Sequence, residues 1–419
     1  MTAGSAPQAA PGMFRHGRST LELRHGVRYL RLAEDDAYRT GFACGRLLVQ
    51  CGEPLLRVLG NPLVRAVLAL LDRACSRHLQ RLRVPEDYRE ELRGCADATG
   101  LRVEHLFFLN FCFDVLKKYG FHCSTFAVFT ADSTLVGRNT DLLPLLARLL
   151  LAVCRPIVVD VAIPGRMRFS HVSVPLFVGA MNGFNEAGVA VNSHQILHAA
   201  ENPLGRRLAS SLLMRLVLER AASLDDARRI VAENLSMRSL NIVVTCRGSR
   251  SGAVFEVHPD GCHVVPHAGS FACTTHFESD AMRPLHDGPV TPSQVRLASM
   301  RAMLDEIPRP DRQTLMRWLR DCRNGPAHRL SGRSVSNRGT CQSFVFDLDR
   351  RCLWVSNGRT VPVSSSGEYV RVRVDADGAG PFDADPDMAR HGGGRDAGAG
   401  IRPIGPAVPA RFAPGATRP

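Results

Sequence analysis

A chain of 419 residues with 45% apolar content and a formal charge of +13 can bury a sizeable core and exceeds the usual size of one small domain. The charge does not mark a nucleic-acid binder: Lys117 and Lys118 are the only lysines, arginine is spread along the chain, and two Trp and five Tyr leave no basic and aromatic stripe. Thirteen cysteines, without a CxxC pair or zinc-ligand spacing, suggest neither a metal centre nor a disulfide scaffold, and a reducing cytoplasm is the simplest setting.

In chain order, residues 1–20 read as a flexible tail with no apolar signal region. Leu21 to Leu32 alternates as a short strand or extended lead-in, and residues 21–122 are otherwise mostly helical. Asp35 or Asp36 caps a helix running to about Gln50, on which Gly41 and Gly45 make a packing groove. Apolar residues keep helical spacing from Leu55 to Leu82, a helix starting at Pro85 ends at Gly100, and Glu104 to Leu116 is another.

At Cys123 the period changes to that of strands. Short strands are expected at Cys123 to Phe129, Thr134 to Gly137, Ile157 to Ile163, Arg168 to Val174 and Gly188 to Asn192, then at Asn241 to Thr245, Ala253 to His258, Phe271 to Thr274, Cys341 to Asp347 and Leu353 to Ser356. Two helical stretches interrupt them, Leu204 to Asn234 and Pro292 to Asn324. The pattern describes an α+β layered domain over residues 123–374, followed at 375–419 by a low-complexity, disordered tail. The most apolar segment, Leu142 to Ile163, is broken by Pro144, Arg148, Arg155, Pro156 and Asp160, which argues against a membrane span, so no membrane partner is expected. Its first half, Leu142 to Val153, reads as a core helix in preference to the lining of an acyl pocket.

One stretch carries chemistry. Cys123 opens an apolar strand after the polar break Lys117-Lys118-Tyr119-Gly120, and a tight turn at Gly137-Arg138-Asn139-Thr140-Asp141, after the partner strand, brings Arg138 and Asp141 back beside that strand's beginning. Only a thiolate is strongly nucleophilic, and it needs a base or a positive neighbour. If the bond between His122 and Cys123 is cut, the freed α-amino group is a base carried by the nucleophile itself, with a pKa close to neutrality. Asp141 would then hold the ammonium form and Arg138 the charge on sulfur. The plain alternative is an exposed Arg–Asp turn bridge worth less than about 1 kcal/mol.

The segment Cys123-Ser124-Thr125-Phe126-Ala127-Val128, followed by Gly137-Arg138-Asn139-Thr140-Asp141, resembles the start of the mature chain in the isopenicillin N acyltransferase-like family. These are relatives of the choloylglycine hydrolases within the N-terminal nucleophile hydrolases. Gly183 to Asn192 resembles the family's glycine-and-asparagine hairpin, and Glu90 to Gly100 the helix before its cleavage site; the likeness runs from about residue 35 to about residue 370. It implies an αββα antiparallel sandwich and a precursor that cuts itself before Cys123 into α and β fragments. It also implies a thioester mechanism on a small amide, with water, an amine or an acyl-CoA as the other participant and no metal or organic cofactor. Two positions depart from the family pattern: His122 stands where glycine is usual, and Thr275, in Thr274-Thr275-His276-Phe277, stands where an asparagine helps form the oxyanion hole. Asn192 is therefore a candidate oxyanion donor or, equally, a turn residue bonding its own backbone. Thr275 offers a shorter hydroxyl donor. His194, Asn241 and His276 read as structural residues near strand ends. The same two departures motivate the alternative of a catalytically impaired relative that binds or scaffolds.

Overall fold

The structure is a computed structural model, and residues 12–115, 122–199, 201, 206–322, 332–374 and 381–382 are described. Three strands come first: β1 (Gly12–His16), β2 (Ser19–Arg24) and β3 (Val27–Leu32). Helices α1 (Ala37–Gln50), α2 (Pro54–Gly60) and α3 (Pro62–Leu79), the short strand β4 (Leu82–Arg83), α4 (Glu86–Thr99) and α5 (Val103–Val115) follow. The middle of the chain holds β5 (His122–Phe129), β6 (Thr134–Asp141), α6 (Pro144–Val153), β7 (Ile157–Val161), β8 (Phe169–Ser173), β9 (Asn182–Asn185), β10 (Val189–Gln195), β11 (Arg207–Leu208), α7 (Ser210–Arg220) and α8 (Leu224–Glu233). The rest is β12 (Leu240–Cys246), β13 (Ser251–His258), β14 (Gly261–Ala268), β15 (Phe271–Cys273), α9 (Thr291–Glu306), α10 (Arg312–Leu319), β16 (Thr340–Asp347), β17 (Cys352–Ser356), α11 (Val363–Ser366) and β18 (Tyr369–Arg373).

Local chemistry sets several of these boundaries. The Asp36 carboxylate accepts the Arg39 backbone N–H at 2.7 Å and caps α1. Gly100 ends α4 in the left-handed conformation that glycine adopts without a Cβ penalty. The stretch of helical spacing from Leu55 to Leu82 is divided into two helices, because Pro62 cannot continue a helix and Asn61 caps α3 by accepting the Leu63 N–H.

Sixteen of the described strands form two large sheets, and β11 pairs in parallel with β4 in a small third one. One runs β1-β2-β3-β7-β8-β9-β10-β12-β13-β14 and the other β15-β5-β6-β16-β17-β18. Side-chain alternation gives each sheet two apolar faces, and both are buried. Leu30, Val159, Val191, Ile242 and Phe255 of the larger sheet pack under α1, α4, α5, α7 and α8. Phe126, Leu135, Val345 and Trp354 of the smaller pack under α9 and α10. Between the sheets, Tyr29, Val158 and Phe184 meet Val136, Phe344 and Phe346. The layers are therefore helix, sheet, sheet, helix: an αββα sandwich.

Two expectations about the beginning of the chain change. Residues 12–20 are not a tail, since β1 and the start of β2 pair from Gly12 with Leu23 to His16 with Ser19. The region before Cys123 is not a separate helical unit, because β3 runs parallel to β7 in the larger sheet. The expected tail over 375–419 and the polar break over 117–120 lie outside the described residues, apart from residues 381–382.

Helices α1 and α4 meet through glycine. A Cβ on Gly41 would overlap the Glu91 carbonyl oxygen, and one on Gly94 the Tyr38 carbonyl oxygen. We expect Gly41→Ala to destabilise by roughly 1–3 kcal/mol in urea unfolding, because overpacking against backbone outweighs the helix-propensity gain. Gly60→Ala meets nothing within 4 Å and should be neutral or slightly stabilising. Equal midpoints for the two variants would remove the glycine contact from the account.

Candidate active site

The β5–β6 hairpin opposes Cys123 to Thr140, Thr125 to Arg138 and His122 to Asp141. Because Phe126 and Val128 face the helices, Cys123 and Thr125 point between the sheets. Arg138 and Thr140 share that inward face with Val136. The fully buried Arg138 guanidinium therefore crosses diagonally to the nucleophile candidate, and Nη2 donates to Cys123 Sγ at 3.0 Å. Its Nε donates to Thr140 Oγ1 at 3.1 Å, and among the described residues no carboxylate lies within ion-pair distance of it. Burial pushes the Cys123 thiol above its ordinary pKa, while Arg138 and, more weakly, Arg296 pull it back.

The larger sheet supplies the opposite wall. On β10, Val189 and Val191 turn to the helices, so Asn192 and His194 turn inward with Ala190. Asn192 is buried and its Oδ1 has no hydrogen-bond partner. His194 is fully buried close to the Cys123 backbone, neither ring nitrogen makes a well-formed hydrogen bond, and burial beside Arg138 holds it well below its ordinary pKa. It is a neutral imidazole at neutral pH.

Thr275 follows β15 and is held by α9. Its backbone N–H and its hydroxyl both donate to Ser293 Oγ, at 2.9 and 3.2 Å, and its Oγ1 accepts from Arg296 Nη2 at 3.2 Å. Asn241 donates to the carbonyls of Thr274 and His276, and His276 Nδ1 meets Ser293 Oγ at 2.8 Å, so both residues build this turn.

Arg296 is the residue that sequence reasoning missed. It is fully buried on α9, Nη1 donates to the Gly332 carbonyl, and Nε has no partner. Its charge is felt by Cys123, Asp141 and His122. A signal existed: Arg296 falls in line with Met300 and Met303, a cation on the apolar face of its helix.

Asp141 sits beside the bond proposed for cleavage, and each oxygen of its carboxylate already accepts one hydrogen bond, with acceptor capacity left over. Asn337 Nδ2 donates to Oδ2 and the Thr340 hydroxyl to Oδ1, each at 2.7 Å. Burial pushes its pKa up to about 6, against the pull of Arg296 and these donors. His122 is driven the other way, down to about 4, by burial and then by Arg296. A carboxyl whose pKa is raised on folding stabilises the fold below its unfolded pKa, and this contribution is lost as pH rises through the folded value. In an uncut Cys123→Ala background, Asp141 should thus cost on the order of 2 kcal/mol between pH 4 and pH 7.5. Adding Asp141→Asn should flatten that part of the urea-unfolding profile, and an unchanged profile would mean that Asp141 titrates normally.

A family model described as acyl-coenzyme A:6-aminopenicillanic acid acyl-transferase matches residues 128–361. The match spans more than half of the chain, starts just after Cys123, and contains Arg138, Asp141, Asn192, Thr275 and Arg296. No curated protein matches the chain. Similar solved structures include a Caenorhabditis elegans ortholog of N-acylethanolamine-hydrolyzing acid amidase, at 19% identity over 54% of this chain and 93% of that one, with a TM-score of 0.39. A mutant of the conjugated bile acid hydrolase of Clostridium perfringens follows at 9% identity over 60% and 97%, TM-score 0.39. Penicillin V acylase of Agrobacterium tumefaciens has 12% identity over 60% and 86%, TM-score 0.33.

Proposed function

Since the chain belongs to the acyl-coenzyme A:6-aminopenicillanic acid acyl-transferase family, we propose that it is a self-processing cysteine amidohydrolase or acyltransferase acting on a small amide through a thioester on Cys123. The observation that carries this reading is the Arg138 guanidinium on the sulfur at 3.0 Å, buried and with no carboxylate within ion-pair distance among the described residues.

In the first step Sγ attacks the carbonyl carbon of His122, the carbon–nitrogen bond to residue 123 breaks, and the nitrogen leaves as the α-amino group. Water then hydrolyses the thioester so formed, releasing the His122 carboxylate. Neutral His122 next to the breaking bond serves as proton carrier in place of the usual glycine's flexibility. In turnover the α-amine takes the thiol proton, the thiolate adds to the substrate carbonyl, and the amine passes that proton to the leaving nitrogen. Asp141, next to the new amino terminus, holds its ammonium form. The Asn192 side-chain amide, buried on the inward face of β10, donates to the oxyanion, and the charge of Arg296 acts on the same sulfur. Thr275 serves by positioning Arg296, since its own hydroxyl proton goes to Ser293. Water or a second amine finally takes the acyl group.

Acid-quenched mass spectrometry after mixing with a chromogenic N-acyl anilide tests the thioester. The fragment that begins at Cys123 should gain the mass of the acyl group, and hydroxylamine should remove it. A binding or scaffold protein, the alternative that His122 and Thr275 motivate, would gain nothing.

A further inference from the structure

Helix α6 is not the core helix that its sequence suggests. Of its ten residues only Ala147 and Leu151 are buried, while Leu145 and Leu149 are 68% and 55% exposed. Helix α3 repeats the pattern, with Leu63, Val67, Leu70 and Leu71 exposed at positions i, i+4, i+7 and i+8, Leu63 to 74% and Leu70 to 69%. Helix α2 touches both, so the two exposed stretches lie on neighbouring helices. Single exposed leucines are ordinary, but a concentration of them on neighbouring helices marks a contact surface.

Charge selects the occupant. Arg57, Arg65, Arg73, Arg77 and Arg148 are exposed on the same three helices, against Asp72 as their one acidic residue. Among the described residues none of these five arginines makes an ion pair. A second copy meeting this face about a twofold axis would bring the arginines together, whereas an anionic bilayer complements them and receives the leucines.

The three helices suit contact with a bilayer surface better than passage through it. No single helix among the described residues is long and apolar enough to span; α2 and α3 pass only together and are bent by 75°. Leu68, Cys75 and Leu79, on the other side of α3, belong to the core, so the helix cannot leave it. We propose that α3 and α6 form an interfacial docking surface for a lipid bilayer bearing anionic headgroups. The absence of a spanning segment, which led the sequence to suggest no membrane partner, does not bear on such peripheral contact. Helix α6 begins three residues after Asp141, so docking sets the Cys123 end of the sandwich against the bilayer.

The test is co-sedimentation of the full chain with phosphatidylcholine vesicles, with and without phosphatidylserine. Uncut, inactive Cys123→Ala protein is used alongside wild type, so that failure of the proposed chemistry cannot affect the result. Both proteins should sediment with the phosphatidylserine vesicles and release as salt rises. The combined Leu63→Ser, Leu70→Ser, Leu145→Ser and Leu149→Ser variant should lose about tenfold in bound fraction at an unchanged melting temperature. Arg65→Gln, Arg73→Gln and Arg148→Gln together should abolish the preference for phosphatidylserine. Wild type remaining in the supernatant, or a dimer in light scattering that the serine variant converts to monomer, would overturn the proposal; the dimer would assign the face to a second copy.

Discussion

Cys123→Ala is expected to reduce turnover of any amide substrate by on the order of 10⁴-fold or more, and to leave the purified chain uncut. Cys123 is fully enclosed between the sheets, with Arg138 on its sulfur and the Asp141 backbone amide beside it. Alanine fits the space, removes one sulfur, and should change stability by only about 1 kcal/mol. A folded protein with native melting and no activity would thus place the whole loss in chemistry. Cys123→Ser keeps an attacking atom, but a hydroxyl ionises far less readily than a thiol, so cleavage should be much slower than in wild type. Activity surviving in the alanine variant would move the nucleophile elsewhere.

The second large effect concerns Arg138. Its guanidinium is buried with hydrogen bonds to Thr140 and to the Cys123 sulfur and without a carboxylate in ion-pair range among the described residues, an arrangement that costs stability. Such expense is common at functional sites. Arg138→Gln should lower kcat/KM by about 10²- to 10³-fold, in the range found when one charge-stabilising donor is lost. It should not lower, and should tend to raise, the unfolding free energy, because an unpaired charge leaves the core. A direct readout is the pH dependence of alkylation of the Cys123 thiol by iodoacetamide. The cation favours the thiolate, so its removal should move the titration to higher pH. Arg138→Lys keeps the charge without the fork and should fall between the two. A purely structural Arg138 would lower activity through folding and leave the alkylation profile where it was.

The first strand of the β5–β6 hairpin was legible from its apolar run, but its partner was expected to stop at Gly137 and give way to a turn; β6 instead runs on to Asp141, and the strand's own alternation carries Arg138 to the face of Cys123. The direct contact was not legible, because it depends on a register that opposes Thr125, not Cys123, to Arg138. Asn192 and His194 come from the other sheet, and no local pattern sets which strands of two stacked sheets face each other. His194 read as structural, yet it is the imidazole close to the Cys123 backbone. Arg296 was hidden by its setting, since one cation in an apolar helical stripe resembles a surface residue until the helix is placed. Helix α6 misled in the opposite direction: its composition suits a core, but the outer face of each sheet is already covered by other helices. The fold itself was legible as layers because strand periodicity persists for over two hundred residues with helical interruptions.

The central claim is that cutting before residue 123 creates the base which the sulfur needs. Intact mass and amino-terminal sequencing of the purified wild-type chain, beside Cys123→Ala, tests it most directly. Wild type should yield two fragments, the larger starting with Cys123, and the variant one chain. A single uncut chain from both would contradict it.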